Sequence, residues 1–530
     1  MFAPAKATNG GWTPIAPFDF DEREPGNLKR RAVDNLRRIK VICIGAGKSG
    51  ILTDILVLLA MSHVMPTNSP SKTNSSWSRY RATGAEIQAY LKRTATKYGA
   101  DKYMKFGHFC EKAEWNKLEG RWHVTLTKSA TNETFVDTCD VLLSAVGPLN
   151  KWEWPQLPFL TKVKSSLMLQ GAVWNDTIQL DNKVVGVIGN GSSAVQIKLI
   201  SFQRSSTWIT AGFAQECAGE HGDNFNYSEE QKREFAEDPA AYLKYRKLVQ
   251  AGMIFTRVNF DRGLTVKQTS QFSRLEMIRK LKGKEHLISK IVPRNYAVGC
   301  RRPTPGSGYL ECLVEEEKCE VTFSQITEVT EEGVVTADGR RRRLDVLVCA
   351  TGFDVSFRPR FPVVGDDNLD LRDAWKDQPY TYLSATVPKF PSYFMINGPF
   401  GPYAHGSILP TIEITTRYVA KFIVKLQTED VESFSPKQDA VDDFKRHREH
   451  FLKRTAWSSP CRSWFKGGTI DGPILMWPGS RIHFLEGIAN PRWEDYDWKY
   501  RYSNRLSFFG DGFCQRELDG GDRSWYIEAA

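Results

Sequence analysis

The sequence is short of the features that mark several protein classes. It contains 10 Cys in 530 residues, yet no Cys-x-x-Cys pair. That spacing argues against a disulfide framework, a zinc site or a redox dithiol, and predicts reduced thiols. Long hydrophobic runs are missing too. The longest, Ile55 to Met61, is far too short to span a bilayer, which needs about 20 residues. Residues 1–20 hold no basic stretch followed by an apolar core, so no secretory leader is expected and a cytoplasmic protein is the default reading. Among 9 His, only His447 and His450 stand close together. They lie in the charged run Asp443-Phe-Lys-Arg-His-Arg-Glu-His450, which predicts a solvated helix rather than a metal centre.

The chain is basic, with 72 Lys and Arg against 62 Asp and Glu and a net charge of +10. A basic balance suits a phosphate-bearing small molecule, but the cations are spread along the sequence, which fits a merely solvated basic surface better than nucleic-acid binding. Their tightest cluster, Arg340 to Arg343, follows Asp338-Gly339 and is expected to cap a hairpin facing water. The 30 Phe, 18 Tyr and 15 Trp imply large aromatic interiors or clefts.

Two segments carry most of the chemistry. Ile39-Lys-Val-Ile-Cys-Ile44 is a β-branched strand running into Gly45-Ala-Gly47-Lys-Ser-Gly50. Val184-Val-Gly-Val-Ile188 is a second, running into Gly189-Asn-Gly191-Ser-Ser193-Ala194. In each loop the first Gly allows a tight strand-to-helix turn, and the second lets a pyrophosphate approach the backbone. The third position, Gly50 or Ala194, lets the helix pack on the strand. The helix N-terminus then offers free N–H groups to phosphate. One such loop is weak evidence. Two of them, each after a strand, predict an α/β protein with two Rossmann-like dinucleotide-binding domains. That layout suits hydride transfer from a nicotinamide to a flavin. Disulfide reductases share it, but they need the missing Cys pair. Further strands are expected at Trp122 to Leu126, Cys139 to Ser144 and Leu344 to Gly352. Helices are expected over 228–290 and 408–427.

Several stretches resemble the class B flavin monooxygenases, in particular the fungal Baeyer–Villiger-type FAD-binding enzymes of secondary metabolism. They are the two glycine loops, Trp77-Ser-Arg-Tyr80, Gly84-Ala-Glu-Ile-Gln-Ala-Tyr-Leu91, Ala145-Val-Gly-Pro-Leu-Asn150, Arg204-Ser-Ser-Thr-Trp-Ile209, Gly299-Cys-Arg-Arg-Pro-Thr-Pro-Gly306, Ala350-Thr-Gly-Phe-Asp354 and Asn397-Gly-Pro-Phe-Gly-Pro-Tyr-Ala-His-Gly406. The resemblance implies an FAD domain split around an inserted NADPH domain, with Ala145-Val-Gly147 and Ala350-Thr-Gly352 as the crossings. The boundaries then read as an N-terminal extension 1–38, FAD-binding part 39–180, NADPH-binding domain with helical insert 181–345, second FAD-binding part 346–454 and C-terminal extension 455–530. It also implies FAD at Gly45, Gly47 and Gly50, with Asp354 beside the flavin or merely capping a turn. NADPH would meet Gly189, Gly191, Ser193 and Ala194. Arg204, aided by Ser205, would grip its 2′-phosphate, with Arg301 near the same group. Arg302 matches the family's catalytic Arg, a permanent cation able to steady oxygen anions without giving up a proton. Substrates would be O2 and a bulky polyketide or terpenoid ketone, with no nucleic-acid partner and no transmembrane segment.

Three departures accompany the match. A flavin-binding Rossmann half should end its second strand in Asp or Glu about 20 residues past the glycine loop. No acidic residue lies between Asp54 and Glu86, and Pro66 to Ser75 reads as loop. The FAD domain is therefore expected to lack its second strand. The family's Phe-x-Gly-x-x-x-His-x-x-x-Trp signature is broken at Gly171-Ala-Val-Trp174, which has no His. After the second glycine loop only Val195 to Phe202 precede a strand expected at Gln203. These gaps resemble excised blocks, as a mis-spliced or degenerate reading frame would leave. Two alternatives therefore stay open: oxygenation of a heteroatom or C=C bond, and a non-catalytic homologue.

Overall fold

The computed structural model describes residues 36–45, 74–155, 157, 168–170, 178–189, 200–210, 217, 219, 224–252, 264–302, 304–306, 308–315, 319–403 and 406–527. Two parallel sheets organise them, and their strands are numbered here in chain order. They are β1 (Val41–Ile44), β2 (Val141–Ser144), β3 (Met168–Gln170), β4 (Val185–Ile188), β5 (Ile200–Phe202), β6 (Val321–Thr322), β7 (Val346–Cys349) and β8 (Tyr393–Met395). The first sheet runs β1-β2-β8 and the second β6-β5-β4-β7-β3. Every pairing in both is parallel.

The first sheet draws its strands from both ends of the chain, and the second lies between them in sequence. That is the topology of one nucleotide-binding fold inserted into another. In the first sheet successive residues of β2 bury on opposite faces. Val141 and Leu143 join one core and Leu142 the other. The second sheet alternates likewise, with Leu347 and Cys349 on one face and Val346 and Val348 on the other. Both faces are therefore covered, and this is why the strands read as continuous apolar runs.

One face of the first sheet packs on an antiparallel meander built from His108–Asn116, Arg121–Lys128 and Thr134–Cys139. The stretch Cys139 to Ser144, expected as one strand, thus splits at Asp140. This carboxylate accepts from the Lys40 N–H at 2.8 Å and from the Arg37 guanidinium at 2.9 Å. The other face carries helix Leu409–Thr428, whose 20 residues match the expected helical span. The helical insert is present as Glu229–Glu237, Pro239–Gly252, Leu264–Lys280 and Glu285–Ile291.

Several expectations need correction. The strand placed at Gln203 is β5, Ile200–Phe202, which ends one residue before it; the Gln203 side chain bonds Tyr309 and Ser201. Arg340 to Arg343 do follow a hairpin turn, but Arg342 is buried. Its guanidinium faces inward to Glu320 and Thr336 because alternate strand residues take opposite faces. His447 and His450 are exposed on helix Gln438–Leu452, yet Arg448 between them is buried over the Phe400 ring at 3.5 Å.

The thiols were expected to be free, but Cys300 and Cys461 form a disulfide. Their separation of 161 residues hid the pair from any spacing argument. Both are buried in a single hydrophobic cluster, which brings them together. No helix among the described residues is long and apolar enough to cross a membrane. The same residues hold no cluster of potential metal ligands.

Candidate active site

The two glycine turns repeat one geometry. Gly45 has φ +116° and Gly189 φ +117°, values that favour glycine over any residue with a Cβ. A Cβ on Gly45 would lie 2.8 Å from the Ala145 carbonyl oxygen, and one on Gly189 would lie 2.6 Å from that of Ala350. The Ala145 N–H donates to Ile44 O at 2.8 Å, and the Ala350 N–H donates to Ile188 O at 3.0 Å. Each first glycine is therefore pressed against the crossing segment that leaves the neighbouring parallel strand. The carboxyl ends of β1 and β2, and of β4 and β7, are where an open α/β sheet receives a dinucleotide. Gly47, Gly50, Gly191, Ser193 and Ala194 lie outside the described residues, as do Gly171 to Trp174 and the stretch where the second FAD strand was sought. Glu86, the first acidic residue after the gap, is committed elsewhere. Its carboxylate accepts from the Ser78 N–H and hydroxyl at 2.7 Å each.

At the second sheet, Arg204 is exposed two residues past the end of β5, with Ser205 beside it. The backbone turns back at Ser206, whose carbonyl accepts from the Tyr296 hydroxyl at 2.8 Å. The Arg301 guanidinium stacks over that Tyr296 ring at 5.2 Å. Tyr296 thus ties Arg301 to Ser206, just past Arg204-Ser205 and about a hundred positions away in sequence. The Arg301 Nε is buried and meets no hydrogen-bond acceptor among the described residues. Arg302 is exposed. Its place is fixed from both sides, by the Cys300–Cys461 bridge before it and by the parallel pairing of Thr304 with Ile209 after it.

A cavity of about 550 Å³ opens at the carboxyl ends of β2 and β8. Ser144, Gly147, Tyr393 and Asn397 line it together with Phe357 and Asp354. Asp354 does cap a turn, accepting from the Ser356 N–H at 3.0 Å, and it also pairs with Lys151 at 3.2 Å. Burial pushes its carboxyl up, but these bonds outweigh burial and hold it below the usual carboxylate range. Phe357 adopts φ +63°, a costly conformation for an aromatic residue. Its ring lies 5.8 Å from Tyr403, and Tyr403 lies 5.7 Å from Trp464. This aromatic chain joins the cavity to the segment held by Cys461.

Sequence reasoning missed Tyr296, Trp464, Lys466 and the disulfide. The aromatic run Trp464-Phe-Lys466 just after Cys461 was the available signal, and nothing in it announced a partner at residue 301.

The comparisons agree with this architecture. No family model matches the chain. It is 33% identical to the FAD-binding monooxygenase tazF of Aspergillus terreus, over 93% of this chain and 95% of that one. It is 31% identical to the FAD-binding monooxygenase stcW of Emericella nidulans, over 92% of this chain and 88% of that one. Among solved structures, the closed crystal structure of cyclohexanone monooxygenase superposes with a TM-score of 0.74 at 22% identity, over 87% of this chain and 99% of that one. The oxidised steroid monooxygenase bound to NADP gives 0.73 at 20% identity. Identities this low establish the shared fold of two dinucleotide domains.

Proposed function

Since the chain belongs to the FAD-binding monooxygenases, we propose that it uses NADPH and O2 to insert one oxygen atom beside the carbonyl of a bulky ketone. The observation that carries this reading is the duplicated cradle. Gly45 and Gly189 hold the same backbone shape against Ala145 and Ala350, each at the carboxyl end of a parallel strand pair. A pyrophosphate needs such close, side-chain-free approach.

The residues fit the two dinucleotides unequally. At the second sheet Gly189 supplies the turn, and Arg204, Ser205 and Arg301 supply charge and hydroxyl for the 2′-phosphate of NADPH. The buried Arg301 Nε, which meets no acceptor among the described residues, is a donor available to such a group. At the first sheet Gly45 fits FAD, but no acidic residue between Asp54 and Glu86 can hold its ribose. Bound flavin would supply hydride acceptance and oxygen activation. The chain's own contribution is binding, shielding and charge. Arg302 presents a guanidinium, and it offers a fixed cation to an alkoxide forming at the ketone carbon. Phe357, Tyr403 and Trp464 give a continuous aromatic surface from the cavity to the segment bonded to Cys300.

The test is a panel of ketones incubated with the protein, FAD and NADPH, with products analysed for esters or lactones. Sulfoxides or epoxides from matched substrates, without any ester, would instead support the heteroatom or C=C reading. NADPH oxidation that stays at background with FAD supplied would support the non-catalytic one.

A further inference from the structure

Lys466 is only 2% exposed, an unusual place for an ammonium. Its Nζ donates to the Ser459 carbonyl at 2.8 Å. That same carbonyl oxygen lies 3.2 Å from the Cys300 sulfur. Cys300 is bonded to Cys461 and immediately precedes Arg301. The Ser459 carbonyl therefore links the ammonium to Cys300, the residue before Arg301, although Lys466 comes 165 positions after Arg301. Burial lowers its proton affinity, Asp471 raises it and the nearby Arg301 lowers it further.

This arrangement is unfavourable as it stands. A desolvated ammonium needs anionic compensation, and a neutral carbonyl with an exposed carboxylate supplies little. A second cation beside it adds repulsion. The buried Arg301 Nε meets no acceptor among the described residues. Arg301 lies over Tyr296, whose hydroxyl bonds Ser206 two residues past Arg204, and Lys466 feels the charge of Arg301. A dianionic phosphate entering beside Arg301 would relieve both the desolvation and the repulsion.

We propose that Lys466 is a positioning residue for the NADPH 2′-phosphate. It acts through Arg301 by adding positive potential at the phosphate corner, and it docks the C-terminal segment there through Ser459 and the disulfide. The inference rests on the reading of Arg204 and Arg301 as the phosphate grip. It assigns part of the coenzyme's selectivity to the C-terminal segment, outside the glycine-loop domain.

The experiment measures dissociation constants of NADPH and NADH by calorimetry on the full chain. Lys466→Gln removes the charge while its amide can still donate to the Ser459 carbonyl. Its affinity for NADPH should fall about five- to ten-fold, as expected from losing one nearby charge of low solvent exposure. Its affinity for NADH should stay within about two-fold on the same electrostatic ground, since NADH has no 2′-phosphate. Lys466→Arg should restore the preference. An unchanged NADPH-to-NADH ratio in Lys466→Gln overturns the proposal, as does an equal loss for both coenzymes, which a purely structural role would give. If Lys466→Gln does not fold, the same ratio measured on Lys466→Met decides. Arg301→Met separates the two levels. If it loses the preference while Lys466→Gln keeps it, only this inference fails. If neither variant shifts the ratio, the phosphate reading of the corner fails with it.

Discussion

At the scale of single residues, the site depends on atoms that must be absent as much as on those present. A methyl group on Gly189 would meet the Ala350 carbonyl and also force a strained φ. Gly189→Ala should therefore cost about 1–3 kcal/mol of stability and abolish measurable NADPH binding. Thermal denaturation and coenzyme titration read the two effects separately. Arg302 makes the opposite demand, for a charge held in place. Arg302→Ala should lower oxygenated product about a hundred-fold or more while leaving NADPH binding intact. Parallel assays of product and of coenzyme affinity decide this. Matched losses in both would show that Arg302 serves the coenzyme alone.

At the scale of elements, Asp140 joins the segment before β1, the end of the meander and the start of β2. Burial raises its carboxyl, but the Lys40 N–H, Arg37 and Arg121 together outweigh burial and hold it below the usual range. Its folded pKa is therefore lower than its unfolded one, near about 4. The stability it contributes is fully present above that unfolded value and is lost as pH falls through the folded value. Removing the carboxylate strands the Arg37 guanidinium, which also donates to Val431 O. Asp140→Ala should cost about 3 kcal/mol at neutral pH and much less near pH 2. Urea unfolding at the two pH values provides the comparison, and equal losses at both would show the effect is not electrostatic.

At the scale of the whole molecule, two nucleotide cradles face different prospects. In the proposed reading the second is served by Gly189, Arg204 and Arg301, with Tyr296 under Arg301. The first has its glycine turn and crossing segment but no acidic residue where a ribose is normally held. Losing that charged hydrogen bond costs about 1–3 kcal/mol. Flavin should therefore dissociate during gel filtration and be retained only when FAD is added to the buffer, while NADPH binding survives the same treatment. Flavin absorbance of the eluted peak settles this, and a stoichiometric yellow protein would refute it.

The sequence by itself determined the architecture around the glycine turns. A β-branched strand followed by glycine at a turn allows few backbone paths, and that constraint is local. The helices at 228–290 and 408–427 were legible for the same reason, since helix formation draws on neighbouring residues. Arg204, Arg301 and Arg302 were nameable because each sits in a short motif. Only the tertiary structure decided what those arginines share. Tyr296 under Arg301 and Cys461 bonded to Cys300 come together through burial in one apolar cluster. Hydrophobic burial is non-directional, so it leaves no spacing in the sequence to read. The buried Arg342 and Arg448 escaped notice likewise, because a run of charges looks solvated until a neighbouring element covers it.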